Sequence, residues 1–262
     1  VTIPDSVTSI NNGAFKGCNK LKTLTTTSNN GFTPQKEAGE QSIGGRTVNV
    51  IITNLENNCE FYLSTSPSTA KIISINGILK STDYLDANIG ITKENLERVA
   101  IKEGVAYIDT EAFFECKNLK FVTISDGVTS IGKNAFHSCK VLESVTIPGS
   151  VTSIGVNAFQ SCDKLQSVTI GNGTTMISRG AFQSCKKLTS VTIPNTAKFI
   201  RNNTFKDCDS IESFTIPDGI TNIGNGAFQQ CSKLRSMTIP NSVTIIGNDV
   251  FRNCGALDSV TF

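Results

Sequence analysis

Cysteine recurs along this chain at a fixed step of 23 residues: Cys116, Cys139, Cys162, Cys185, Cys208, Cys231 and Cys254. Phenylalanine keeps the same step at Phe113, Phe136, Phe159, Phe182, Phe205, Phe228 and Phe251. Three residues after each Cys stand Leu119, Leu142, Leu165, Leu188, Ile211, Leu234 and Leu257, and Leu96 extends that column one period back. Two further columns follow in register, Val122, Val145, Val168, Val191, Phe214, Met237, Val260 and Ile124, Ile147, Ile170, Ile193, Ile216, Ile239, Phe262. A unit of this size cannot bury its own apolar face. Stacked units share one continuous core, so the period predicts an elongated array rather than one or two globular domains.

Within a unit, L-x-x-V-x-I alternates apolar residues with Ser and Thr, the period-two signature of a half-buried strand. Pro148, Pro194, Pro217 and Pro240 close four of these segments, as expected of a residue that cannot donate to the ladder. The Val151–Ile154 piece, V-T-S-I, predicts a second, shorter extended segment. Ala-Phe-x-x-Cys is too short for a full helix and predicts one helical or 3₁₀ turn. L-x-x-V-x-I is similar to the strand signature of leucine-rich repeats, L-x-x-L-x-L. The expected fold class is an α/β leucine-rich-repeat solenoid, a horseshoe with a parallel sheet on its concave face and short helical turns on its convex side.

Residues 1–24 hold one more unit, with Ile3, Val7, Ile10, Phe15, Cys18, Leu21 and Leu24 in the expected columns. The register is then lost until about Leu96, and the array occupies 93–262. Residues 25–92 are either degenerate repeats or an insertion, and the reading favours a small β-rich insertion. Thr47–Thr53, Phe61–Leu63 and Ile72–Ile75 are β-prone, and Asn76-Gly77 ahead of Ile78-Leu79 is a hairpin signal.

With 24 basic and 22 acidic residues, the net charge of +2 gives no electrostatic case for nucleic acid. No apolar run approaches the ~20 residues of a membrane helix. The chain opens Val1-Thr2-Ile3-Pro4, inside a repeat and without a charged leader, so the expectation is a fragment or processed piece.

The nine cysteines are the obvious chemical lure. None forms a C-x-x-C pair for zinc. In a parallel stack, equivalent residues sit ~4.8 Å apart, too far for an unstrained disulfide, which wants Cβ atoms ~3.8 Å apart. The column reads as buried free thiols acting as small hydrophobes, with Cys59 outside it. His137, the one histidine, occupies a turn position where other units carry Gln160, Gln183 and Gln229, and reads as a solvated surface residue. Without a nucleophile–base pattern or a ligand cluster, the chain is read as no enzyme, with no cofactor and no metal.

Alternation turns Thr123, Thr146, Thr169, Thr192, Thr215, Thr238 and Thr261 outward on the strand face, beside Phe121 and then Ser144, Ser167, Ser190, Ser213, Ser236 and Ser259. Charges enter at the flank, in Lys120, Glu143, Glu212, Arg235 and Asp258. Candidate ligand contacts are Phe121, the threonines from Thr123 to Thr238, Glu143, Glu212 and Arg235, with Tyr62 and Tyr84 of the insertion as aromatic anchors. Thr is also simply a good solvent-facing strand residue, which accounts for the column without any ligand. Asn172-Gly173-Thr174 and Asn202-Asn203-Thr204 are glycosylation sequons, relevant only in a eukaryotic source.

The run from Leu142 through Val145, Ile147, Val151, Ile154 and Phe159 to Cys162 resembles the BspA-like leucine-rich repeats found in surface proteins of bacteria and some protozoa. The match covers residues 1–24 and 93–262. The resemblance implies a secreted or surface-attached protein with no catalytic motif. It also implies an adhesin-like module whose partner is a protein or glycan of a host, matrix or neighbouring cell, or else a structural spacer that projects other domains.

Overall fold

In the computed structural model, residues 93–94, 96–101 and 104–262 are described in full. Before them, the described parts are the backbones of the strands Thr2–Ile3, Thr23–Thr27, Ser42–Ile43, Arg46–Thr47, Asn49–Asn54, Cys59–Leu63, Ala70–Lys71 and Gly77–Leu79. The array is a parallel β-solenoid of about seven coils. Each coil contributes one strand to each of two parallel stacks.

The first stack holds Arg98–Ile101, Phe121–Ile124, Ser144–Ile147, Ser167–Ile170 and Ser190–Thr192, and then Ser213–Thr215, Ser236–Thr238 and Ser259–Thr261. Its register is the sequence period itself: Val145 faces Val168 and Ile147 faces Ile170. In Ser144–Ile147, Val145 and Ile147 are buried while Ser144 and Thr146 are exposed, as the alternation requires. The ladder is interrupted between Ser190–Thr192 and Ser213–Thr215. The break coincides with the replacement of Val by Phe214, whose ring packs at a steep angle against both Phe205 and Phe228, at 5.0 and 4.8 Å, while those two stay stacked on each other at 5.5 Å. The second stack bridges the break without interruption, running through Val105–Ile108, Ser130–Ile131, Ser153–Ile154, Met176–Ile177, Phe199–Ile200, Asn222–Ile223 and Ile245–Ile246. Turns such as Pro148–Val151 and Pro217–Ile220, each closed by an amide bonding back three residues to the Pro carbonyl, connect the two stacks.

The Ala-Phe-x-x-Cys segment corrects one expectation. No α-helix or 3₁₀ helix occurs among the described residues. The backbone amides instead alternate in direction. Ala112, Phe114 and Cys116 donate within their own coil, to the carbonyls of Asp109, Glu111 and Phe113, whereas Glu111, Phe113 and Glu115 donate to Lys133, Ala135 and His137 of the next coil. A helix sends every amide the same way, so this alternation excludes one and builds a third inter-coil ladder. It is set by two left-handed residues per coil, for example Asn157 and Ser161 at φ 55° and 59°. At the first of these positions other coils have Asn134, Gly180, Asn203, Gly226 and Asp249, types that tolerate that conformation, and Glu111 adopts it in the first coil at φ 59°.

Towards the N-terminus, Thr2–Ile3 pairs in parallel with Thr23–Thr27 at the 23-residue offset of Thr2 and Thr25. Thr23–Thr27 pairs in parallel with Asn49–Asn54, where Thr23 faces Asn49. Cys59–Leu63 then pairs antiparallel with Asn49–Asn54, and Ala70–Lys71 antiparallel with Cys59–Leu63. Asn76 of the expected hairpin lies outside the described residues, and Gly77–Leu79 pairs in parallel with Val105–Ile108.

The core is columnar. Phe113, Phe136, Phe159, Phe182, Phe205 and Phe228 are fully buried. Their rings stack nearly parallel, with neighbouring centroids 5.0 Å apart at Phe113–Phe136 and 5.7 Å at Phe182–Phe205. That separation exceeds a face-to-face contact, so the rings are offset, the arrangement their quadrupoles favour. Beside them Cys116 to Cys231 are buried and Cys254 is half-buried, none of them in a disulfide. They are more than small hydrophobes. Cys162 Sγ donates to the Phe136 carbonyl of the preceding coil at 3.2 Å, and the bond recurs for Cys139, Cys185, Cys208, Cys231 and Cys254. Burial pushes these thiols up, that of Cys185 to about 12. His137 is half-buried rather than freely solvated, its ring stacked on Phe114 at 5.1 Å and its Nδ1 3.0 Å from Ser138 Oγ. Burial holds the imidazole below its ordinary value against the opposing pull of Glu115.

Three outcomes follow from this packing. Phe182→Ala removes a ring held between Phe159 and Phe205 and should lower unfolding stability by ~3–5 kcal/mol in denaturant titration; a loss under ~1 kcal/mol would show that the ring column is not the core. A thiol reagent should leave Cys116 to Cys231 unmodified in the native protein and react with them in denaturant, whereas native modification of several of these thiols would contradict their burial. The third outcome concerns His137. Its pKa is depressed on folding, so the stability it contributes is present above the unfolded value near 6.5 and is lost as pH falls through the folded one. The denaturation midpoint should therefore fall more between pH 7.5 and about pH 5 in the native sequence than in His137→Gln, and equal falls would refute the assignment.

Candidate binding face

The outward residues of the first stack are positioned by three nested constraints. Parallel pairing at a one-period offset brings like residues together, so Thr146, Thr169 and Thr192 lie in one row and Thr215 and Thr238 in a second, with Thr261 beyond. Alternation turns them outward because Val145, Ile147, Val168 and Ile170 occupy the core. The strand spacing then sets hydroxyls ~4.8 Å apart along the row. Thr123, Thr146, Thr169, Thr192, Thr215 and Thr238 are all exposed. The parallel row of Ser144, Ser190, Ser213, Ser236 and Ser259 is exposed too, with Ser167 half-buried.

At the end of the face nearest the N-terminus the hydroxyl rows give way to a different chemistry. Arg98 pairs with Phe121 across adjacent strands, and its guanidinium lies 4.0 Å from the ring centroid. Lys120 Nζ stands 5.2 Å from the same centroid and makes an exposed 3.1 Å ion pair with Glu143. A pair so exposed adds little stability. Its consequence is to keep two charges and a half-buried aromatic ring in one place. Arg98 is the functional candidate that sequence reasoning missed; the signal was its place exactly one period before Phe121, in the outward column. Glu212 and Arg235 are exposed on the flank but lie beyond the break in the ladder, apart from the Phe121 cluster. Tyr62 sits in the strand Cys59–Leu63, facing Ile51 and Lys71 in the pairing; its side chain and all of Tyr84 lie outside the described residues. At the two sequons Asn172 and Asn202 are exposed, while Thr174 and Thr204 are buried and bond backbone carbonyls.

Among the described residues, no group of three or more His, Cys, Asp or Glu is arranged to hold a metal ion, and no helix is long and apolar enough to cross a membrane. The arrangement offers hydrogen-bonding and stacking contacts on an open face.

The profile of the BspA type leucine rich repeat region matches six copies, over residues 1–74, 91–211 and 153–262. No curated protein is significantly similar in sequence. Among solved structures, the chain is similar to a leucine-rich repeat protein from Eubacterium ventriosum at 24% identity and a TM-score of 0.61. That likeness covers 98% of this chain, which spans 59% of the length of that protein. A leucine-rich repeat protein from T. pallidum is 25% identical at a TM-score of 0.52, over 70% of this chain and 90% of the other. One from Bacteroides ovatus is 21% identical at a TM-score of 0.52, over 77% and 69%. The matched profile spans most of the sequence and the same repeat forms every described coil: the chain belongs to the family of BspA type leucine-rich repeat proteins.

Proposed function

We propose that the chain is a non-enzymatic interaction module of a cell-surface or secreted protein, adhesin-like, whose partner is a protein or glycan. The observation that carries this reading is the open face of the first stack. Two rows of exposed hydroxyls are held rigidly by a backbone whose own bonds are spent in the ladder, and they end on the Arg98–Phe121 pair. Hydroxyl rows supply adaptable hydrogen bonds of modest strength, summed over repeated contacts. The aromatic–guanidinium pair supplies residue types enriched in the cores of protein interfaces.

The repeated rows present the same chemistry at every coil, and a repeating surface discriminates poorly between partners. Specificity is therefore assigned to aperiodic elements: the Phe121 cluster with Glu143, the flanking Glu212 and Arg235, and the segment 25–92 with Tyr62 and Tyr84. The division into 1–24, 25–92 and 93–262 belongs to the same proposal. The second reading, a spacer with no ligand of its own, rests on Thr being an ordinary solvent-facing strand residue.

Solid-phase binding of the purified chain to matrix proteins and glycans separates the two. The module reading expects saturable binding to at least one of them, weakened about tenfold or more by Phe121→Ser with Arg98→Gln, and by Thr146→Lys with Thr169→Lys. Tyr62→Ala and Tyr84→Ala report whether the segment 25–92 takes part. No binding across the panel would sink the module reading in favour of the spacer.

A further inference from the structure

The second stack has an outer face of its own, and there the repeat stops repeating. The outward residue of V-T-x-I is Ser130 and Ser153 in two coils, but Met176 and Phe199 in the next two. Ile177 faces Ile200 in the ladder, so Met176 and Phe199 are neighbours on adjacent strands, ~4.8 Å apart at the backbone. Both are large, apolar and exposed, at 44% and 40%, while Ile177 and Ile200 beneath them are buried. Lys198 replaces the Thr of that column, and Arg201 replaces the Gly seen at Gly132, Gly155, Gly224 and Gly247. The Arg201 guanidinium lies 4.9 Å from the Phe199 ring centroid, and Arg179 and Lys198 are exposed alongside. The same outward column also carries Tyr107 and Ile245, exposed at 49% and 56%, but at Met176 and Phe199 two large apolar residues stand on adjacent strands with cations beside them.

From Val128 onward the charge on this face has one sign. Six of its coils, residues 128–133, 151–156, 174–179, 197–202, 220–225 and 243–248, carry Lys133, Arg179, Lys198 and Arg201 and not one Asp or Glu, whereas the coil before them, 105–110, carries Asp109. Acid stands outside these segments, at Asp109 in the coil before, at Asp126 and Asp218 in the preceding turns and at Asp249 after the last. The flank of the first stack, by contrast, mixes Lys120 and Arg235 with Glu143, Glu212 and Asp258. A carboxylate arriving at Met176 and Phe199 meets three cations, Arg179, Lys198 and Arg201, flanking the two strands, and no acid within those two segments.

We propose that this face, centred on Met176, Phe199 and Arg201, docks an acidic protein segment carrying apolar side chains. Met, aromatic residues and Arg are the types enriched in protein–protein interfaces. Met adapts its shape to a partner, and the stacked Arg201 is preorganised to receive a carboxylate bidentately. The cations set orientation and discriminate against basic partners. The inference rests on the reading of the chain as an interaction module, but it places a second surface on a different side of the coil from the hydroxyl rows.

The test is selection of a phage-displayed random peptide library on the intact chain, followed by binding of the selected peptides to F199S/R201Q. Both substituted residues are exposed, and an unchanged melting transition verifies folding. The expected result is enrichment of peptides rich in Asp and Glu with interspersed apolar residues. Their synthetic forms should bind about tenfold or more weakly to the double variant and to Lys198→Glu, and more weakly still as salt rises. Lys198→Glu alone serves as the readout should the double variant lose its fold. Selected peptides that lack acid, or bind both variants unchanged, overturn the proposal. So does binding lost in Thr146→Lys/Thr169→Lys but kept in F199S/R201Q, which would leave the hydroxyl face standing as the interaction site. Binding to vesicles of phosphatidylcholine with phosphatidylserine that F199S abolishes, without peptide enrichment, would assign the face to an anionic membrane and overturn it as well.

Discussion

A coil of this protein meets its neighbour through backbone hydrogen bonds on three flanks: the first stack, the second stack, and the alternating amides of the Ala-Phe-x-x-Cys segment. Each flank imposes the same offset of one repeat, because a parallel ladder pairs residues at a constant separation. Everything else inherits that offset. Side chains of equal position are forced into columns, and a column is stable only if its residue type packs against copies of itself. Phe succeeds by sliding its rings into offset stacks, and Leu and Ile succeed by interlocking. Cys succeeds because it is small enough for the tight turn and its S–H can bond the Phe carbonyl of the coil before.

Where a residue fails to match its column, the ladder registers it locally. Phe214 is larger than the Val of its column and packs against the side of the phenylalanine stack, and the first stack is interrupted at that coil. The array holds because the second stack and the alternating amides continue across the interruption. Three ladders are redundant in this sense: a disturbance of one flank is carried by the others, and the core columns remain continuous through it.

The same redundancy frees the outward positions. Since backbone pairing and inward residues carry the fold, exposed positions tolerate different chemistry at small cost. The first stack uses that freedom sparingly, with rows of Ser and Thr ending at Phe121 and Arg98. The second stack uses it at Tyr107 and Ile245 and in two adjacent coils, where Met176, Lys198, Phe199 and Arg201 break the pattern together. Aperiodic positions on a periodic scaffold are where discrimination between partners can reside, because only they give one coil a chemistry its neighbours lack.

The sequence by itself determined the period, the inward columns and the two extended segments, because these depend on residue type at a fixed spacing and need no knowledge of the neighbouring coil. The buried state of Phe182 and Cys185 and the outward row from Thr123 to Thr238 were legible for that reason. The Asn, Gly and Asp column at 134, 157, 180, 203, 226 and 249 also carried a readable sign of left-handed turns, one that the short Ala-Phe-x-x-Cys pattern masked as a helical turn. Only the tertiary structure decided the direction of each amide, the thiol bond to the preceding Phe carbonyl, the stacking of His137 on Phe114 and of Arg98 on Phe121, and the place where Phe214 breaks the ladder. Each of these is a contact between coils, fixed by how one turn of the solenoid sits on the next, and spacing within a unit does not specify it.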